Sequence, residues 1–131
     1  MADKLIIEIF REKNAEEFTK ALAAPDSRLE TGSAAAMTAA VAMSLAARAA
    51  AACDQSGEKA QYIARNIETL RGYMVHLIDE DVKSRGPLRR AIKEGDARTI
   101  EAARQPSVCI DQEIINMMGQ ALELIAGLAE I

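Results

Sequence analysis

Polar and apolar residues follow a helical beat over most of this chain, and the places where the beat changes are informative. Between Glu58 and Ser84 the apolar residues Ile63, Ile67, Leu70, Met74 and Leu77 fall at intervals of 4, 3, 4 and 3. That spacing sets them on one face of a long helix packed in a bundle. Four residues further on, the same rhythm lands on Asp81, so a carboxylate stands where the pattern asks for a hydrophobe. A second stripe, Ile114, Met118, Ala121, Ile125 and Leu128, predicts the core-facing side of a final helix from about Ser107 to Ala129.

The run from Gly32 to Cys53 has almost no polar side. Alanine dominates it, and alanine has the best helix propensity and no side-chain entropy to lose, so helix is expected from about Ser33 onward. Arg48 is its only charge. A helix apolar nearly all round is expected to be enclosed by other helices, and its small side chains let neighbouring backbones come close. It is therefore predicted as the central helix of a bundle or the seam between two chains. About 20 apolar residues can span a bilayer. The weak apolarity of alanine and the charge of Arg48 inside the run oppose that, and no membrane span is expected.

The remaining elements are shorter. Leu5 to Phe10 has the β-branched content of a short strand, but is read in preference as an arm or short helix that packs on the bundle. Asn14 before Ala15-Glu16-Glu17 is an N-cap, and the helix it starts runs to about Ala23 with Ala15, Phe18 and Leu22 on one face. Pro25 to Thr31 is a loop, and Asp54-Gln55-Ser56-Gly57 a turn. Gly86-Pro87 is expected to end the long helix, leaving a short one from Leu88 to Lys93. Gly95-Asp96 is a turn with Asp96 as the next cap, followed by a helical piece from Ala97 to Arg104 and a boundary or kink at Pro106. The expected architecture is all-α: a helical bundle around the alanine-rich helix, forming one domain over residues 1–131.

Composition narrows the function. Aromatics are scarce, tryptophan is absent, and a formal net charge of −4 argues against general nucleic-acid binding, which needs a basic face. The first residues lack a signal-peptide pattern, so a cytoplasmic location is expected. Cys53 and Cys109 match no metal or redox spacing and are expected to be buried free thiols. No Walker loop, dinucleotide fingerprint, zinc pattern or paired Glu-x-x-His motif is present, so neither a metal nor a permanently bound cofactor is expected.

Two places carry candidate chemistry. Burial disfavours the charged form of a carboxylic acid, and a carboxyl poised near neutrality serves as general acid and base in turn, which makes Asp81 a candidate. The alternative is that the helix is near its end and Asp81 has turned into solvent. Asp79 and Glu80 lie off the stripe and read as a solvated face. Gly32-Ser33 is the second candidate, because the first N–H groups of a helix lack internal partners and, with a serine hydroxyl, can receive a ligand carbonyl or anion. An ordinary cap made by Thr31 or Ser33 explains the same residues. His76, one turn before Glu80, reads as its surface partner. The basic cluster Lys83, Arg85, Arg89, Arg90 and Lys93 is either a solvated face or a place for a polyanionic tail.

Taken together, Glu16-Glu17-Phe18 with Leu22-Ala23, a proline loop, Gly32-Ser33-Ala34-Ala35-Ala36, Leu77-Ile78-Asp79-Glu80-Asp81, and Ala102-Ala103 with Pro106 resemble the cyclodeaminase/cyclohydrolase family. This family includes formiminotetrahydrofolate cyclodeaminase and a bacterial methenyltetrahydrofolate cyclohydrolase. The resemblance covers roughly residues 13 to 130. It implies an all-helical homodimer with a folate pocket near the subunit contact, bordered by Gly32 and Ser33, and a catalytic acid at Asp81. Arg85 stands in the cluster that would hold the substrate's anionic tail, an assignment made on charge alone. The chain differs from the family pattern in Glu30-Thr31 before Gly32, in Ser84-Arg85 where an Ala-Phe pair is usual, and in stopping near Ile131, so a shortened relative is expected. Two functions follow: a folate-ring cyclohydrolase or cyclodeaminase, or a non-catalytic helical dimer acting as a ligand-binding or protein-interaction module.

Overall fold

The computed structural model describes residues 8–53 and 57–130. Among these residues four helices, α1 (Ala15–Ala23), α2 (Thr31–Cys53), α3 (Glu58–Glu94) and α4 (Ala97–Leu128), follow a 3-10 turn at Phe10–Glu12. Among the described residues there is no strand, and the chain is all-α. Most of the turn expected at Asp54–Gly57 and the first residues of the expected N-terminal arm lie outside the described residues. The described part of that arm inserts Phe10, only 1% exposed, into the core.

Helix α1 starts where the sequence capped it: the Asn14 side chain accepts the Glu17 N–H at 2.8 Å. Of its expected apolar face only Phe18 is buried; Leu22 and Ala15 are exposed. The three long helices then run antiparallel in turn, as the close pairs along their length show. Ser33 at the start of α2 meets Asp81 in the second half of α3, Ser84 of α3 meets Ser107 of α4, and Lys59 near the start of α3 meets Glu130 just past α4. The stripe read from the sequence is the centre of this arrangement. Ile63, Ile67, Leu70, Met74 and Leu77 are all buried, with Met43 of α2 and Ile114 of α4 in the same cluster.

Helix α3 does not end at Gly86-Pro87 but continues for 37 residues to Glu94. Proline there removes the donor for the Lys83 carbonyl, which ordinarily stops a helix. Part of the clash that forces the preceding residue out of helical geometry involves its Cβ, and Gly86 has none. Beyond the proline, buried Ala91 and the ion pair of Arg89 with Glu30 hold the segment against the rest of the molecule. The piece expected at Leu88–Lys93 is thus the last part of α3. Gly95 terminates it in left-handed conformation (φ 79°), where glycine has no Cβ penalty. Asp96 caps α4 as expected, accepting from Thr99 N at 3.0 Å. Pro106 likewise lies inside a continuous α4, and next to it the Ser107 hydroxyl donates to the Ser84 carbonyl at 3.2 Å.

Coverage is less complete than the hydrophobic pattern implied. On α2 the face carrying Ser33, Ala36, Ala40, Met43 and Ala50 is buried, whereas Val41 and Leu45 are exposed. On α4, Ile114 and Ala121 are buried, but Met118 (42% exposed) and Ile125 are not. With α3 occupying one side of each, a single chain has too few helices to enclose the rest. By length and composition α2 could cross a membrane. Cys53 and Cys109, expected to be buried, are exposed, because Cys53 is the last residue of α2 and Cys109 lies on the outer side of α4.

Candidate functional site

Asp81 is fully buried at its place on the stripe and has not turned into solvent. The opening of α2 explains why a carboxylate sits there. Ala34 N–H is the first to find a carbonyl one turn back, that of Glu30 at 3.1 Å, so the preceding amides of α2 lack internal partners. Ser33 N–H donates instead to Asp81 Oδ2 at 3.0 Å, and the Ser33 hydroxyl lies 3.1 Å from the same oxygen and 2.8 Å from the Ile78 carbonyl. Asp81 therefore caps α2 from another helix, where the positive end of the helix dipole favours an anion. The hydroxyl carries one proton for two acceptors and serves one at a time.

Gly32 is packed directly on the carboxyl group. A Cβ at this position would overlap Asp81 Oδ1 and lie only 2.5 Å from Cγ, so no other residue fits without displacing Asp81. On its remaining side Asp81 accepts from Arg85 Nε, 3.1 Å from Oδ1 and 3.2 Å from Oδ2. Arg85 in turn reaches Glu30 at 3.4 Å and Asp111 of α4 at 3.4 Å, and Arg89 donates to Glu30 at 3.0 Å and to the Arg28 carbonyl at 3.2 Å. The four residues singled out from the sequence, Gly32, Ser33, Asp81 and Arg85, thus form one cluster. It is closed on the inside, and Arg85, Glu30 and Asp111 form its solvent-facing rim.

The neighbouring acid corrects the sequence reading. Asp79, expected on a solvated face, is 4% exposed and accepts Phe10 N–H at 2.7 Å and Arg11 N–H at 3.2 Å. It caps the 3-10 turn as Asp81 caps α2. The signal lay in Leu77-Ile78: two adjacent apolar residues, both buried, show that α3 is covered from two sides at this turn. Glu80 faces outward, half-buried, with Lys83 at 3.0 Å and His76 at 3.8 Å, the latter as expected. The basic cluster does not act as a unit. Arg85 turns toward the start of α2, Lys83 and Arg90 line a cleft on another side of α3 with Arg11 and Arg28, and Arg89 stands between, reaching Glu30 while it also borders the cleft.

Comparison with known families decides the relationship. The family model for formiminotransferase-cyclodeaminase matches residues 14–131. The chain belongs to the formiminotransferase-cyclodeaminase family. Searches of curated proteins and of solved structures returned no significant match. The family match takes in α1 to α4 and every residue of the Asp81 cluster, whereas the 3-10 turn capped by Asp79 precedes it.

Proposed function

We propose that this chain opens or closes the N5/N10 ring of a tetrahydrofolate derivative, in the manner of a methenyltetrahydrofolate cyclohydrolase or a formiminotetrahydrofolate cyclodeaminase. The observation that carries this reading is the convergence of Gly32, Ser33 and Asp81 inside the segment matched by the family. Such a reaction passes through a tetrahedral carbon, with protons moving on and off nitrogen and, in hydrolysis, water. One carboxyl can make both transfers, and in this reading Asp81 does so with the Ser33 hydroxyl beside it as a relay. Gly32 leaves the approach free of a side chain, and Arg85 exchanges its bond to Asp81 for one to the substrate. The folate is substrate rather than resident cofactor. The working form is a cytoplasmic homodimer in which the uncovered sides of α2 and α4 meet the partner.

One observation favours a second reading. Asp81 has no exposed surface, and each group that meets its oxygens is already a hydrogen-bond donor from this chain. A non-catalytic helical dimer needs no more than that. The absorbance of methenyltetrahydrofolate, followed with purified protein, separates the two. The enzymatic reading expects decay above the uncatalysed rate and its loss in Asp81→Asn, assayed below the melting temperature of that variant. A wild-type rate equal to background selects the non-catalytic dimer.

A further inference from the structure

On the side of α3 away from Asp81 lies a cleft of about 720 Å³, within the size range of small-molecule sites. Its floor is the α3 face that carries Asp79, Val82, Lys83, Gly86, Pro87 and Arg90, positions three, four and seven apart. The arm at Ile9–Arg11 and Arg28 complete the lining. Gly86 presents open space, so the floor beside the Pro87 ring is flat and apolar.

The charge of this cleft runs against that of the chain. Arg11, Arg28, Lys83, Arg89 and Arg90 line it, against Glu8 and Asp79, in a protein of net charge −4. Both acids are already engaged: Asp79 by the two amides of the arm, and Glu8 by Lys13 at 2.9 Å. Lys83 and Arg89 have carboxylate partners, but among the described residues the Arg28 and Arg90 guanidinium groups have none. A guanidinium is a planar fork of donors that matches a carboxylate or phosphate, and its charge is never lost by deprotonation.

We infer that this cleft is a binding site for a small organic polyanion, a ligand bearing two or more carboxylate or phosphate groups held by Arg28 and Arg90, with its carbon skeleton on Val82 and Pro87. The site adjoins the Asp81 cluster only through Arg89, which also reaches Glu30, and it does not rest on the folate reading. Asp79 acts here as a positioning residue, fixing the arm that lines the cleft.

Calorimetric titration of the full chain at constant ionic strength with citrate, and separately with pyrophosphate, tests this without any turnover assay. Saturable binding of either probe is expected, with citrate identifying the carboxylate class and pyrophosphate the phosphate class. Arg28→Ala/Arg90→Ala, both exposed and checked for folding by circular dichroism, should weaken it at least tenfold. Arg98→Ala, an exposed arginine on α4 outside the cleft, should leave it unchanged. Heats that fail to saturate with both probes overturn the proposal, as does an equal loss in the Arg98 variant.

Discussion

Asp79 and Asp81 stand two positions apart on α3, both buried, and face nearly opposite sides of the helix, as about 3.6 residues per turn dictates. Each accepts main-chain amides from a different segment, Asp79 from the N-terminal arm and Asp81 from the first turn of α2. The two carboxylates tie α3 to both pieces of chain that lead into the bundle. Replacing either should therefore act locally. Asp79→Ala leaves the buried Phe10 amide without an acceptor, at a cost of about 1–3 kcal/mol. Hydrogen exchange is expected to speed up at Phe10 in this variant and not at Ser33, and the reverse in Asp81→Ala. Equal changes at both amides would show that the two ties are not independent.

Gly32→Ala should destabilise the protein by roughly 1–3 kcal/mol, the usual cost of overpacking, because the new methyl displaces the Asp81 carboxyl. The clash is specific to that pair, so the substitution should cost much less when Asp81 is already serine. A urea double-mutant cycle measures the coupling. Additive effects would mean that the backbone moves aside instead.

Burial separates residues that look alike in sequence. Ile67 is fully buried in α3, and Ile67→Ala is expected to cost about 2–5 kcal/mol in urea unfolding. Leu122 on α4 is 64% exposed, and Leu122→Ser should change the stability of an isolated chain by about 0.5 kcal/mol or less. If the outer side of α4 meets a second copy, light scattering of the Leu122 variant will show a lighter particle than the wild type. A monomer mass for the wild type at micromolar concentration removes the dimer from the proposal.

The cap of α4 is sensitive to acid. Hydrogen bonds from the Thr99 hydroxyl, at 2.6 Å, and from its amide hold the Asp96 carboxyl below its ordinary value. A carboxylate whose folded pKa is depressed adds stability above its unfolded pKa, about 3.9, and loses that contribution as the pH falls through the lower folded value. Asp96→Asn keeps a capping oxygen but not the charge. The stability difference between the wild type and this variant should be flat above pH 5 and shrink below pH 4 in thermal melts. A difference that stays constant down to pH 2 would contradict the assignment.

Much of this was legible in the chain. The caps at Asn14 and Asp96, the turn at Gly95 and the place of Asp81 on the stripe follow from local rules or from one helical period, and these need no knowledge of neighbours; that Asp81 is buried rather than turned into solvent came from the packing. The prolines were misread because the local rule for proline is outweighed here by Gly86 and by packing of the segment beyond it. Asp79 was missed for a related reason. A single stripe describes a helix covered from one side, and α3 is covered from two at Leu77-Ile78.

By itself the sequence determined the all-helical class, the capped helix starts, the register of the main stripe and the presence of an acid on it, since period and propensity act within about a turn of each residue. Only the tertiary structure decided what that acid does. Hydrogen-bond donors come from residues 48 to 69 positions away, Ser33 on α2 and, for Asp79, Phe10 and Arg11 on the arm. The same antiparallel packing split the basic cluster between two sides of α3, because residues adjacent in sequence point about 100° apart on a helix and meet different neighbours.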